Sequence, residues 1–170
     1  IPALQGQPLH TEQVAQLDSK DMTFDVWRAL AVRCAHWLAQ DDVQGLVITH
    51  GTDTLEETAY FLQAVLAPAK PVVLTCAMRP STAIAPDGPQ NLIDAVTVAS
   101  SPQARGVVAV CAGVIHGAMD VQKQHPYRTD AFSSGESGPL GFVEEGTVRW
   151  VRSVEFKWPS RHIQWPKFAI

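Results

Sequence analysis

The sequence predicts an α/β fold: a parallel, Rossmann-like (flavodoxin-like) sheet with flanking helices, followed by a C-terminal β-hairpin. Three short apolar runs, at residues 45–50, 71–76 and 106–111, have the composition of strands buried on both faces of a parallel sheet. Helical patterns alternate with these runs. Such alternation is typical of βαβ units, which are right-handed in nearly all parallel sheets. With 170 residues, the chain can bury a sizeable core as one domain.

The composition is that of a globular protein, with 46% hydrophobic and 18% charged residues. The formal net charge of −4 argues against nucleic-acid binding, because neutralising phosphates requires a basic face. No apolar run approaches the ~20 residues that span a membrane. No basic-then-apolar signal peptide opens the sequence, although a mature form would have lost one.

The first helix is predicted at residues 23–39, where apolar residues recur at helical spacing. Thr23 is suited to cap its N-terminus. Trp27 and Trp37 lie on the apolar stripe of this helix, so we expect both to pack in the core.

The first apolar run leads into a turn and then a second helix. Thr54 and Glu57 have the spacing of a capping box, which predicts a helix through Leu66. Thr52 and Asp53 lie between the strand and this helix. In open α/β sheets, ligands bind beyond the carboxyl ends of the strands, so a hydroxyl and a carboxylate are expected at a functional edge.

The rest of the chain predicts fewer regular elements. Pro89 is suited to the first turn of a helix, and the sequence near Glu145 and Gly146 predicts the turn of a hairpin. The predicted elements are a functional loop at 77–89, a helix at 89–100, short strands and turns at 114–132, and a hairpin at 141–150.

Cys34, Cys76 and Cys111 lie in apolar helix or strand patterns, and we expect them to be buried free thiols. No CxxC or HxxxH spacing indicates a metal site. Unpaired cysteines favour a cytoplasmic over a periplasmic location, but the compartment stays open.

Residues 47–58 read VITHGTDTLEET, which resembles the second signature of the bacterial-type L-asparaginase (asparaginase/glutaminase) family. Five further segments occur in the order of that family: DSKDM at 18–22, AMRPS at 77–81, DGPQNL at 87–92, DVQK at 120–123 and GPLG at 138–141. The resemblance extends from about Asp18 to Trp150.

The resemblance implies hydrolysis of L-asparagine, and to varying degrees of L-glutamine, to the acid and ammonia. It implies a threonine nucleophile, an acyl-enzyme, and no metal or organic cofactor. It also implies two α/β domains and a homo-oligomer, a dimer of dimers, in which neighbouring subunits share the active site. No nucleic acid or membrane partner is expected.

The site residues follow from the resemblance alone. The catalytic group that it implies consists of Thr52, Asp53 and Lys123. Ser19 matches the residue that holds the substrate's α-carboxylate, and Asp53 also matches the acceptor of the α-ammonium. Gly51 and Ala77 match positions that line the pocket through their backbones.

Amide hydrolysis needs a nucleophile, a proton shuttle and donors for a developing oxyanion. Lys123 can assist if burial makes it lose its proton near neutral pH, or if its charge polarises a neighbouring hydroxyl. The sequence leaves these alternatives open. We expect Lys123 to be partly buried and hydrogen-bonded to Thr52.

Each of these residues also has a structural interpretation. A Thr-Asp pair before a helix is more often a cap, a single lysine after a turn is usually solvated, and Ser19 alone would be a cap or turn residue. Only their joint occurrence favours catalysis. For His50 we expect a structural hydrogen-bonding role, and for His116 and His125 surface or turn positions.

The chain departs from the family pattern in its domains. We interpret residues 1–158 as the family's N-terminal α/β domain without its first hairpin, residues 159–170 as the start of the interdomain linker, and the second domain as absent. Residues 1–19 contain no Gly-Gly-Thr, the signature of the nucleophile, and Thr11 has no adjacent glycine. We therefore expect this chain alone to be inactive.

Lys20 is a second departure. The family commonly has a neutral or acidic residue here, which helps to hold the substrate's ammonium. A lysine repels that ammonium or assists the α-carboxylate instead, so Lys20 either points away or alters substrate preference.

Two other functions remain open. One is the ammonia-generating subunit of a tRNA-dependent amidotransferase, which would need a tRNA-binding partner; no basic patch favours it. The other is a non-catalytic relative that binds amino acids, which the missing signature and Lys20 favour, and which Thr52, Asp53 and Lys123 oppose.

Overall fold

The structure is a computed structural model, and it describes residues 1–153. Its α-helices are α1 (Phe24–Leu38), α2 (Leu55–Leu66) and α3 (Gly88–Ala99). Its strands are β1 (Leu46–Thr49), β2 (Val72–Thr75), β3 (Val107–Cys111), β4 (Val114–Gly117), β5 (Gln122–Lys123), β6 (Phe132–Ser133), β7 (Gly141–Glu144) and β8 (Thr147–Trp150). The predicted linker at 159–170 lies outside the described residues.

Six of the strands form one sheet, in the order β1-β2-β3-β4-β7-β8. The three predicted apolar runs form β1, β2 and β3, which are parallel. β4, β7 and β8 extend the sheet by antiparallel pairing, while β5 and β6 pair separately as a two-stranded ribbon. The predicted α/β class, with flanking helices and a terminal hairpin, is confirmed.

Both faces of the sheet are covered by helices, and the central strands alternate between them. In β2, Val72 and Leu74 pack with α1 and α2, whereas Val73 packs with α3 on the opposite face. All three side chains are fully buried. Full burial of a valine or leucine contributes roughly 1.5–3 kcal/mol, so β2 is a main source of stability.

The two parallel connections have opposite hands. The steps from β1 to β2 and from β2 to β3 go in the same direction across the sheet, yet α2 and α3 cover opposite faces. One connection is therefore left-handed, and the expectation that parallel βαβ units here are right-handed is wrong for it. As a result, the helices after β1 and β2 approach the same sheet edge from opposite faces.

Neither tryptophan of α1 belongs to the core clusters that the described residues form. Trp27 is half-buried and stacks on Phe61, with 5.8 Å between the ring centroids. Trp37 donates from Nε1 to Glu12 Oε2 at 2.6 Å. The predicted core positions are wrong, because the indole N–H groups of both rings find polar partners at the margin of the core.

α2 has its predicted bounds, but not its predicted cap. Thr54 makes no side-chain cap bond, and its Oγ1 donates instead to Ser19 O at 2.8 Å. Glu57 is exposed. The capping box is therefore wrong, because a partner 35 residues away takes the hydroxyl.

The turn between β7 and β8 lies where the sequence predicts it. Glu145 and Gly146 have φ values of 50° and 73°, and two consecutive positive φ values are the requirement of a type I′ hairpin turn. The helix predicted at 89–100 is confirmed as α3. Among residues 1–153, no helix combines the length and apolar content needed to cross a bilayer.

Cys34, Cys76 and Cys111 are buried free thiols, as predicted. His125 is exposed in a turn, also as predicted, and its Nδ1 accepts from two backbone N–H groups. His116 is different: it lies on β4, is 3% exposed, and its Nδ1 is 2.8 Å from Ser134 Oγ. The surface position expected for His116 is wrong, because one hydroxyl in a separate segment supplies the polar partner it needs.

Burial lowers the pKa of His116 to about 4. Below the ordinary histidine pKa of about 6.5, the unfolded chain binds a proton at this histidine and the folded chain does not. The free energy of unfolding therefore decreases as the pH is lowered through this range. We predict that His116 alone lowers the free energy of unfolding by about 2 kcal/mol between pH 7.5 and 5, since one proton corresponds to ~1.4 kcal/mol per pH unit.

Urea unfolding of the His116→Gln variant at these two pH values tests the assignment. The variant should lose this part of the pH dependence, whereas His125→Gln, at an exposed histidine, should keep it. An unchanged pH dependence in His116→Gln would contradict the prediction.

Candidate active site

The predicted site residues come from four separate segments and meet at one edge of the sheet. Thr52 and Asp53 follow β1, and Ala77 follows β2, so both turns open at the carboxyl ends of parallel strands. Ser19 comes from a short 3-10 helix, Ser19–Asp21, and Lys123 comes from β5. Hydrogen bonds join all of these segments except that of Ala77, which lies exposed at the end of its strand.

Lys123 is the hub of the cluster. Its Nζ donates to Thr52 Oγ1 at 2.8 Å and to Asp53 Oδ1 at 2.8 Å. Its side chain is 20% exposed, against 50% for Asp53. The expected partial burial of Lys123 and its hydrogen bond to Thr52 are therefore present. The ammonium polarises the Thr52 hydroxyl, while one carboxylate oxygen of Asp53 stays open to solvent.

Ser19 is held directly beside this group. Its Oγ accepts a hydrogen bond from Asp53 N at 3.1 Å, and its carbonyl accepts from Thr54 Oγ1. The residue is buried, at 5% exposure. Because its hydroxyl donates to none of the described residues, the proton remains available to an external acceptor such as a carboxylate.

Glu56 is a contact of the site that sequence reasoning missed. One of its carboxylate oxygens accepts a hydrogen bond from Lys123 N, which ties β5 to the first turn of α2. The available signal was position, since Glu56 is three residues after Asp53 and lies in the first turn of α2. The capping-box spacing indicates Glu57 instead, which is exposed.

Lys20 points away from the cluster. Its Nζ lies 2.6 Å from Asp18 Oδ2 and 4.0 Å from Asp21 Oδ2, and its side chain is exposed. The pKa of Lys20 is raised, chiefly by the hydrogen bond to Asp18, with smaller contributions from the charges of Asp21 and Asp53. Lys20 therefore remains a cation within the electrostatic range of Asp53.

His50 has both ring nitrogens in use. Nδ1 lies 2.8 Å from Gly51 O, and Nε2 lies 3.0 Å from Thr58 Oγ1, which also accepts from Trp27 Nε1 at 2.8 Å. Because the Gly51 carbonyl can only accept, Nδ1 carries the histidine proton, and Nε2 accepts a hydrogen bond from the Thr58 hydroxyl. Burial lowers the pKa of His50. This neutral, fully bonded histidine fits the expected structural role.

No group of three or more histidine, cysteine or acidic side chains within residues 1–153 is arranged to hold a metal ion. The cluster itself offers the polarised hydroxyl of Thr52, the ammonium of Lys123, and a hydrogen-bond donor on Ser19 beside an acceptor on Asp53. Such a pair matches the two charged groups of an amino acid.

Gly51 allows the turn after β1 to approach Ser19 closely. A Cβ on Gly51 would lie 2.4 Å from Ser19 Oγ and 2.7 Å from Ser19 Cβ, so Ser19 would have to move. We predict that Gly51→Ala lowers the free energy of unfolding by about 1–3 kcal/mol, as overpacking usually does. In a Ser19→Gly background, which lacks both clashing atoms, the same change should cost less. Urea unfolding of the four proteins measures this coupling, and an equal cost in both backgrounds would refute the contact.

The chain matches an asparaginase family model, described as "Asparaginase, N-terminal", over residues 1–156. L-asparaginase 2 of Bacillus subtilis is 46% identical over 136 residues, which are 79% of this chain and 36% of the relative. The glutaminase-asparaginase of Pseudomonas fluorescens is 46% identical over 143 residues, which are 83% of this chain and 39% of the relative.

A solved structure, that of a probable cytoplasmic L-asparaginase from Campylobacter jejuni, has the same fold with a TM-score of 0.81 at 45% identity. The similarity covers 85% of this chain and 46% of that chain. The chain thus spans less than half the length of the relatives it matches. The family model covers nearly the whole sequence, and the chain belongs to the asparaginase family.

Proposed function

We propose that the full-length protein containing this chain is an L-asparaginase, which hydrolyses L-asparagine to L-aspartate and ammonia and also accepts L-glutamine to some degree. Family membership supports this reaction class. The observation that carries the proposal is the double contact of Lys123 Nζ, at 2.8 Å from both Thr52 Oγ1 and Asp53 Oδ1. This contact brings together the Thr52 hydroxyl, the Asp53 carboxylate and the Lys123 ammonium at the edge of the sheet where open α/β folds bind ligands.

In the proposed mechanism, Ser19 and Asp53 hold the substrate's head group. The Ser19 hydroxyl donates to the α-carboxylate, and the open oxygen of Asp53 accepts from the α-ammonium. Gly51 and Ala77 border the same pocket, while the exposed charge of Lys20 lies outside it, within the electrostatic range of Asp53. These contacts fix the position of the side-chain amide relative to the Thr52 hydroxyl, and such orientation is a large part of catalysis.

A threonine hydroxyl attacks the amide carbon to form an ester, ammonia leaves, and water then hydrolyses the ester. Thr52 and Lys123 assist proton transfer and stabilise the charge that develops in each step. The 170 residues contain no Gly-Gly-Thr, so we propose that the attacking threonine is not among them. We further propose, from the family resemblance, that the active form is a dimer of dimers.

Ammonia release from asparagine tests this function. We expect turnover by the full-length protein and little or none by the 170-residue chain. Lys123→Met should lower kcat of the full-length protein by at least about 100-fold with a smaller effect on KM, since positioned proton-transfer groups contribute about 100- to 10,000-fold.

Lys70→Met is a matched control, because Lys70 binds Gln40 O at 2.6 Å, away from the cluster. Its kcat should be unchanged. Turnover by the 170-residue chain at the rate of the full-length protein would refute the proposal that the nucleophile lies outside these residues. Absence of turnover by the full-length protein would refute the proposed asparaginase activity.

Lys20 should weaken substrate binding, because its charge repels the ammonium that Asp53 attracts. We predict that Lys20→Gln lowers KM for asparagine severalfold with little change in kcat, and that the gain shrinks as ionic strength screens the exposed charge. Lys20→Arg keeps the charge and should leave KM unchanged. Steady-state kinetics at low and high salt provide the measurement, and an unchanged KM in Lys20→Gln would contradict the prediction.

A further inference from the structure

The strand that carries Lys123 does not belong to the main sheet. In the part of the chain that the structure describes, β5 pairs only with β6, and neither strand is hydrogen-bonded into the six-stranded sheet. Strand pairing therefore fixes Lys123 relative to Phe132, its partner in β6, but not relative to Thr52 and Asp53, which follow β1. Other contacts have to hold Lys123 at the site.

The backbone N–H of Lys123 faces α2 and not β6. Successive N–H groups of a strand point to opposite sides, and Gln124 N, next in sequence, donates across the ribbon to Ala131 O at 2.7 Å. Lys123 N is therefore directed outward, where a carboxylate oxygen of Glu56 accepts its hydrogen bond. Since Glu56 lies in the first turn of α2, this bond connects the ribbon to the segment that follows β1.

Both ends of Lys123 are bound to the same short segment, residues 52–56. At one end, Nζ donates to Thr52 Oγ1 and to Asp53 Oδ1, each at 2.8 Å. At the other end, the backbone N donates to Glu56. A lysine ammonium sits on a long, flexible stem, so it has a defined position only when its backbone and its head group are both held. The geometry between Lys123 and Thr52 thus depends on Glu56 as well as on the head group.

The helix dipole does not account for this contact. A carboxylate in the first turn of a helix is favoured by the dipole wherever it points, and both Glu56 and Glu57 lie in the first turn of α2. Glu57 is exposed, and none of the described residues hydrogen-bonds to its side chain. Glu56 is half-buried and bonds to Lys123 N. The two neighbours therefore share the dipole term and differ in the bond to Lys123.

We propose that Glu56 is a positioning residue of the asparaginase site, which acts through Lys123 by holding its backbone N–H on the first turn of α2. This inference rests on the proposed function, in which Lys123 assists proton transfer. Without the bond, Lys123 would be joined to the site by its head group alone, and its ammonium would leave the Thr52 hydroxyl more often. A misplacement of about 1 Å in an active site can lower the rate about 100-fold.

Glu56→Ala in the full-length protein removes the acceptor, and alanine favours the helix, so the protein should fold. We predict that kcat for asparagine falls by about 10- to 100-fold and that KM changes much less, because Ser19 and Asp53 still hold the head group. Glu56→Gln keeps an oxygen that can accept from Lys123 N and should restore most of kcat. Steady-state ammonia release measures both variants.

Glu57→Ala is the matched control. It removes the same charge from the same helical turn but leaves the bond to Lys123 intact, so kcat should not change. A fall in kcat equal to that of Glu56→Ala would assign the effect to the charge of the helix terminus and overturn the proposal.

A double-mutant cycle tests whether Glu56 acts through Lys123. In a Lys123→Met background there is no ammonium left to position, so Glu56→Ala should lower kcat further by no more than about twofold. An equal loss of kcat in the wild-type and Lys123→Met backgrounds would show that Glu56 acts independently of Lys123.

Hydrogen exchange gives a measurement that needs no activity. In Glu56→Ala, exchange at the Lys123 N–H should accelerate about tenfold or more, the equivalent of one net hydrogen bond, and in Glu57→Ala it should not change. Unchanged exchange in Glu56→Ala overturns the hold on Lys123, and unchanged kcat overturns the positioning role. If the wild-type protein releases no ammonia, the proposed function fails, and exchange alone then decides whether Glu56 holds Lys123.

Discussion

One constraint of the sheet underlies the whole candidate site: β1, β2 and β3 are parallel and in register, with Thr49 beside Thr75 on adjacent strands. Parallel strands in register end at a common edge, so the turns after β1 and β2 open next to each other. The first carries Thr52 and the second carries Ala77. Lys123 comes from a separate ribbon, and its long side chain reaches this edge because β5 is bound to the first turn of α2.

The opposite hands of the two parallel connections have a consequence for this edge. α2 and α3 cover opposite faces of the sheet, so their first turns meet the edge from opposite sides. α2 brings Asp53 and Glu56 towards Lys123, while α3 brings Asp87 and Asn91 towards the turn after β2. With both helices on one face, as two right-handed connections would require, the strand ends would be supported from one side only.

The charged groups of the site differ in how they are supported. Lys123 is mostly buried, and its ammonium bonds to a carboxylate and a hydroxyl at 2.8 Å each, which offsets the cost of removing it from water. Lys20 is exposed and ion-pairs with Asp18 next to it in sequence. Although both are lysines near Asp53, only Lys123 donates to its carboxylate, whereas Lys20 donates to Asp18, and this is why their proposed effects differ.

The sequence by itself determined the elements and the family. Apolar runs predicted β1 to β3 and helical spacing predicted α1, because burial of one face or both leaves a periodic pattern in the chain. Residues suited to helix starts and to a hairpin turn predicted α2, α3 and the terminal hairpin. The cluster of Thr52 and Lys123 was expected only through the family resemblance, since these residues are 71 positions apart. The tertiary structure alone decided which partner each polar side chain takes. The Thr54 hydroxyl donates to Ser19 O instead of capping α2, and His116 is buried against Ser134. Hydrogen-bond partners from distant segments compete with local ones, and local sequence spacing carries no information about them.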